Sequence, residues 1–211
     1  MNIKVCGITE IKQLNQLEGL DIDFAGLIFY KESPRYMGDK ISGKELRSAD
    51  FDIKKVGVFV NAGYDEIMAA IEEYNLDVVQ LHGNETVSFC KEIAEEVELI
   101  KAFRINAGNE NEIDKLVQPY DDACDYYLFD TGGPKESFGG TGIQFDWNKL
   151  TTRKIEKPFF LSGGIGLEDI DKIKSFSHPD FYAVDLNSKF EKSPGVKDMG
   201  KVLQFKQAMK K

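Results

Sequence analysis

Polar side chains able to do chemistry recur in this sequence at one kind of place, the end of a short apolar run. Cys6 ends the first such run, and Arg35 lies just past the second. Asn61, His82, Arg104 and Asp130 follow in the same way. Ser162 with Gly163 and Gly164, and Asp185 with Asn187 and Ser188, close the last two. An ionised thiol is a base or nucleophile. A carboxyl or an imidazole moves protons. A guanidinium grips a carboxylate with two parallel hydrogen bonds. Paired glycines let backbone N–H groups approach an anion closely. Such a set can run acid–base chemistry on a small anionic molecule, provided the fold brings the pieces to one place.

The runs themselves say how. IKVCGI (3–8), FAGLIFY (24–30), KVGVFV (55–60), DVVQLHG (77–83), LIKAFRI (99–105), YYLFDT (126–131), PFFLSGG (158–164) and FYAVDLNS (181–188) are short, β-branched or aromatic, and almost continuously apolar. That pattern predicts parallel strands covered on both faces. Helical stripes lie between them: Ile67, Met68, Ile71 and Tyr74; Val87, Cys90, Ile93 and Val97; Ile113, Leu116, Val117 and Tyr120; Leu167, Ile170 and Ile173. Thr9 is the expected cap of a first helix carrying Ile11, Leu14 and Leu17. The stretch near Gly43–Ala49 is the only room for a second. Trp147 is expected to follow Phe145 into a sixth helix as packing. A last helix over Asp198 to Lys211 turns Met199, Val202, Leu203 and Met209 inward. Eight strands alternating with helices predict an α/β protein, a single (β/α)8 barrel over residues 1–211, with no GxGxxG after the first strand to favour an open sheet. No internal repeat is visible in the residues themselves. In such a barrel all strand ends on one rim face one mouth, where active sites form.

Composition narrows the partners. Thirty-six acidic residues against 27 basic ones give a net charge of −9, which disfavours nucleic acid and anionic membranes. A small anionic ligand then needs a local pocket set against that global field. Cys6, Cys90 and Cys124 are too far apart and too few for a disulfide framework or a zinc site. With no apolar leader or membrane-length run, the reading is a soluble, cytoplasmic protein that works without a cofactor.

KVCGIT at the start, FYKESPRY (29–36), KVGVFVN (55–61), VVQLHG (78–83), FDT (129–131), GGTGIQFDW (139–147), FLSGG (160–164) and PGVKD (194–198) stand in the order of the phosphoribosylanthranilate isomerase family, which the chain resembles over nearly its whole length. The resemblance implies an Amadori rearrangement of tryptophan biosynthesis. An acid protonates the ribose ring oxygen and a base removes the proton from the neighbouring carbon. It places the base on Cys6 and the acid on Asp130, and strands 1 and 6 lie three steps apart around a barrel, so their ends face each other. Gly163, Gly164, Asn187 and Ser188 are the expected phosphate grip, with Gly140-Thr141-Gly142 as a bordering loop. Arg35 is the expected partner of the substrate's aromatic carboxylate, or else part of a surface ion pair. His82 either touches substrate or holds a supporting hydrogen bond, and Arg104 is left without a role. One loop departs from the family: DLNSKFE (185–191) puts Lys189 where glycine is usual.

Each residue also has a plainer reading. Cys6 could be a small buried hydrophobe, Asp130 a loop cap, and Gly163–Gly164 a turn. Cys90 reads as core, Cys124 as structural, and His178 as solvent-facing. The alternatives at the level of function are another phosphate-binding barrel enzyme or a non-catalytic phosphate-ligand-binding barrel. Either way the expected partner is a small anionic substrate, with the protein a monomer or weak homodimer.

Overall fold

A computed structural model describes residues 1–106, 108–131 and 144–210. Eight parallel strands close into a barrel in sequence order: β1 (Asn2–Cys6), β2 (Phe24–Ile28), β3 (Lys54–Phe59), β4 (Val78–Leu81), β5 (Glu98–Ile105), β6 (Tyr126–Thr131), β7 (Phe159–Leu161) and β8 (Phe181–Leu186). The seam joins the first strand to the last, with Lys4 in register with Asp185. Beyond the barrel, β9 (Glu191–Ser193) and β10 (Val196–Lys197) form a small antiparallel hairpin.

The helices are α1 (Ile11–Glu18), α2 (Gly43–Ser48), α3 (Tyr64–Tyr74), α4 (Val87–Ala94), α5 (Ile113–Val117), α6 (Ile170–Ser175) and α7 (Met199–Lys210). The short α2 is held by a full capping box: the Ser42 hydroxyl accepts from the Glu45 amide at 3.2 Å, and the Glu45 carboxylate accepts from the Ser42 amide at 3.0 Å. Between β6 and β7 the described residues hold only a 3₁₀ turn, Trp147–Lys149, rather than the expected helix. Asp146 caps that turn by accepting from the Asn148 amide, and the β-branched pair Thr151–Thr152 follows with no apolar stripe to extend it. Trp147 is fully buried as packing all the same.

Two apolar compartments form, because every strand is covered on both faces. The outer one, between strands and helices, takes Ile3, Val5, Ile67, Ile93 and Phe205 among many others. The inner one fills the barrel with Phe24, Val56, Val78, Ile100, Leu128 and Phe160. At the strand starts the barrel is plugged by rings. Phe24 meets Phe160 edge-on at 5.4 Å, and Tyr126 meets Tyr182 at 5.2 Å.

Several local expectations are corrected. Glu10, not Thr9, precedes α1, because the Thr9 hydroxyl donates instead to the Gly195 carbonyl at 2.6 Å. Leu203 faces solvent and Phe205 takes its place inward beside Val202, since a 3.6-residue period puts 202 and 205, not 203, on one face. The His178 side chain is only 3% exposed. It packs edge-on against Phe159 at 5.0 Å and bonds the Arg153 carbonyl through Nε2 at 3.1 Å. Gly140-Thr141-Gly142 lies outside the described residues.

Candidate active site

Cys6 is the last residue of β1. The chain must turn sharply after it, and Gly7 does so at φ +81°, where a Cβ would sit 2.7 Å from the Arg35 side chain. Gly26, beside Cys6 on β2, leaves the space that the sulfur fills: a Cβ there would fall 2.6 Å from Sγ. The thiol is thus seated by two glycines, and it is buried. Burial pushes the thiol up. The Lys4 ammonium beneath it opposes this most strongly, Asp185 reinforces it, and Lys197 opposes it.

Asp130 lies near the end of β6 and is 5% exposed. Its Oδ1 accepts from the Thr131 amide at 2.9 Å, which fixes the carboxyl plane. Its Oδ2 faces His82 Nε2 at 3.2 Å. His82 Nδ1 is in turn 2.7 Å from Gln80 Nε2 on β4. With the Gln80 amide donating, the ring proton sits on Nε2 and is donated to Asp130. Three residues therefore form one chain ending at the carboxyl. Gln80 is 1% exposed, and its Oε1 is left without a partner.

Gly163 and Gly164, at φ +93° and +66°, lift the chain after β7 into the left-handed region. A Cβ on Gly163 would stand 2.3 Å from Thr131 Oγ1, so only glycine fits between the β6 and β7 ends. Ser162 donates to Asp185 Oδ2 at 3.1 Å. Asn187 presents its Oδ1 to Lys197 Nζ at 2.9 Å, and Ser188 opens a 3₁₀ turn, Ser188–Phe190.

One cleft is lined by Cys6, His82, Asp130, Gly163, Gly164, Asn187 and Ser188. Seven of the eight residues expected from sequence thus share a cavity, with Gln80, Ser162 and Asp185 among its other walls. Arg35 stands apart at the rim. Its guanidinium grips Glu191 with Nε at 2.9 and 3.1 Å and Nη2 at 2.8 Å, so a carboxylate of the protein already fills the role expected of a ligand. Glu191 also receives Lys197 Nζ at 2.7 Å. Burial pushes the Glu191 carboxyl up, but the Arg35 hydrogen bonds and the Lys197 charge outweigh it and hold it below the usual range. Arg104 lines a different groove with Lys101, Gly83 and Asn109. Lys189 reaches across to Glu168 in an exposed pair.

Sequence reasoning missed Lys4, Gln80, Glu191 and Lys197. Lys4 and Gln80 carried a usable signal, since each lies two residues before a named candidate on the same strand and so on the same face. Glu191 and Lys197 lie in two stretches already singled out, DLNSKFE and PGVKD, but their hairpin is outside the eight strands and nothing in the letters pairs the two.

Around the cleft, Lys4, Arg35 and Lys197 meet Asp130, Asp185 and Glu191, three cations against three carboxyls. An anion there must lean on backbone N–H groups as much as on side-chain charge.

Known proteins agree with this architecture. A family model for N-(5'phosphoribosyl)anthranilate (PRA) isomerase matches residues 3–208. An N-(5'-phosphoribosyl)anthranilate isomerase of Parabacteroides distasonis is 41% identical over 207 residues, spanning 97% of this chain and 91% of that protein. The solved phosphoribosyl anthranilate isomerase of Thermotoga maritima is 30% identical with a TM-score of 0.83, over 100% of this chain and 98% of that one. Another, solved with reduced 1-(o-carboxyphenylamino)-1-deoxyribulose 5-phosphate, is 28% identical with a TM-score of 0.77 over the same shares. With the match running through all eight strands and both candidate proton-transfer residues, the chain belongs to the N-(5'-phosphoribosyl)anthranilate isomerase family.

Proposed function

We propose that the protein isomerises N-(5'-phosphoribosyl)anthranilate to 1-(2-carboxyphenylamino)-1-deoxyribulose 5-phosphate, with Asp130 as general acid and Cys6 as general base. The observation that carries this reading is a thiol and a carboxyl lining one cleft, beside two glycines in the left-handed region and the Asn187–Ser188 turn. Asp130 gives its proton to the ribose ring oxygen, and the C–O bond breaks to leave a protonated imine. The Cys6 thiolate takes the proton from the neighbouring carbon, giving an enolamine that tautomerises to the ketone. His82, steadied by Gln80, holds the carboxyl in place for the first step.

Gly163, Gly164, Asn187 and Ser188 hold the phosphate, chiefly through backbone N–H groups. Arg35 meets the anthranilate carboxylate at the rim while Glu191 keeps the guanidinium aimed. One chain closes the eight-stranded barrel on its own, so a monomer suffices. The three thiols are free of disulfides, which suits the cytoplasm. Among the described residues no helix is long and apolar enough to cross a membrane.

The test is the loss of phosphoribosylanthranilate fluorescence, coupled to a downstream enzyme, with wild type and Cys6→Ser. Turnover by wild type and its collapse in a folded Cys6→Ser protein are expected. A well-folded wild type that leaves the substrate untouched would overturn the assignment.

A further inference from the structure

Lys4 is fully buried inside the barrel, on the face of β1 that also carries Cys6. Its Nζ lies 2.9 Å from Asp185 Oδ1, and the other oxygen of Asp185 is held by Ser162 at 3.1 Å. Barrel interiors of this kind are normally layered with branched apolar side chains. A buried ion pair is a poor way to stabilise one, because desolvating both charges offsets most of their attraction. Stability alone does not account for a lysine here. Its position does: Lys4 sits one step along the strand beneath the thiol, while the cleft itself is lined by Cys6 and Asp185 and not by Lys4.

We propose that Lys4 is a positioning residue, a fixed counter-charge that favours the Cys6 thiolate against the cost of its burial and never touches the substrate. The inference rests on Cys6 being the base. Lys4 keeps its three protons throughout: the proton leaving the sugar carbon goes to sulfur, and the ammonium loses only its anionic neighbour. Asp185 anchors the ammonium, and Ser162 anchors Asp185. Burial alone would pull the Lys4 ammonium down, but Asp185 and then Cys6 outweigh it and keep it above its ordinary range, so it stays charged at every working pH. The other charged or titratable groups around the thiol are Asp185 on β8, Lys197 on β10, Arg35 beside Gly7, and His82 with Asp130 across the cleft. Both lysines are paired, Lys197 with Glu191 and Asn187 and Lys4 with Asp185, and of the two Lys4 opposes the burial of the thiol more strongly.

The experiment follows iodoacetamide alkylation of Cys6 against pH, read by mass spectrometry of its peptide, in wild type, Lys4→Met and Lys4→Gln. Cys90 and Cys124 do not interfere, since the Cys6 peptide is read separately from theirs. Both variants are expected to raise the alkylation midpoint by about one pH unit or more, a tenfold loss of thiolate at fixed pH. The rising limb of kcat against pH should move with it, and KM should change little. Lys4→Met leaves Asp185 without a partner. Should it fail to fold, Lys4→Gln, which still offers Asp185 a hydrogen bond, carries the test. A folded variant with the wild-type midpoint, or one whose activity falls with the kcat limb unmoved, would overturn the proposal. Alkylation needs no substrate, so its result stands apart from whether the proposed isomerisation occurs.

Discussion

At the N-terminal rim one residue type does one job three times over. Asp23, Asp77 and Asp125 each precede an even-numbered strand, and each accepts a hydrogen bond at 2.8 Å from the backbone amide of Ile3, Lys55 or Leu99 near the start of the strand before it. At the C-terminal rim the polar groups at or just past the strand ends differ: a thiol, an imidazole, a carboxyl, paired glycines and an amide are set into one cleft. Repetition suits a task shared by every strand pair, which is closing the sheet. Variety suits a reaction that needs a different group at each point of one small molecule. Substitutions at the first rim should therefore cost stability and spare turnover, and those at the second should do the reverse.

The largest break in that contrast would come from Cys6→Ser and Asp130→Asn. Each is expected to lower kcat by about 10²–10⁴-fold with melting temperature nearly unchanged, read by the coupled assay and by thermal unfolding. Next, Asp125→Ala orphans the Leu99 amide and should cost about 1–3 kcal/mol. At about 2–4 °C per kcal/mol for a chain of this size, the melting temperature should drop visibly while kcat and KM hold. Equal loss of turnover would show that the two rims are not separable.

The third test uses pH. The Glu191 carboxyl is held low by Arg35 and Lys197 in the fold. Stability from that source is present above the ordinary glutamate value of about 4.3, and is lost as pH falls through the lower value in the folded protein. Glu191→Gln should therefore lower the melting temperature at neutral pH and flatten its decline in acid. An acid limb of unchanged slope would remove Glu191 from that account. The smallest effect is expected from Lys189→Gly, which breaks the exposed pair with Glu168. It should change stability by no more than about 0.5 kcal/mol, since the pair is solvent-screened. A clearly larger loss in chemical denaturation would mean that this loop contributes to the scaffold.

The barrel was legible because its strands are buried on both faces and so read as unbroken apolar runs. Even the brief α2 was found by the room left near Gly43. Residues at strand ends were legible for the same reason, since Cys6, His82 and Asp130 interrupt those runs where a rim must be. Lys4 and Gln80 were passed over although each lies two residues before a named candidate, because the partner that gives Lys4 its meaning, Asp185, is set against it only by register. Arg35 shows a different gap. Its residue type announced a carboxylate, but only the fold brings up Glu191, 156 positions away. The aspartates of the N-terminal rim were hidden too. They recur ahead of even strands, yet the flanking residues differ enough that no repeat shows in the letters.

The seam between β1 and β8 has a consequence for how the protein is made. Synthesis runs from the N-terminal side, so the lysine of β1 is made well before the aspartate of β8 that anchors it. A nascent chain interrupted before Phe181 holds an unanchored ammonium inside an open sheet. The inner ion pair therefore forms only once β8 has been made, and a chain halted earlier leaves its sheet unclosed at this seam.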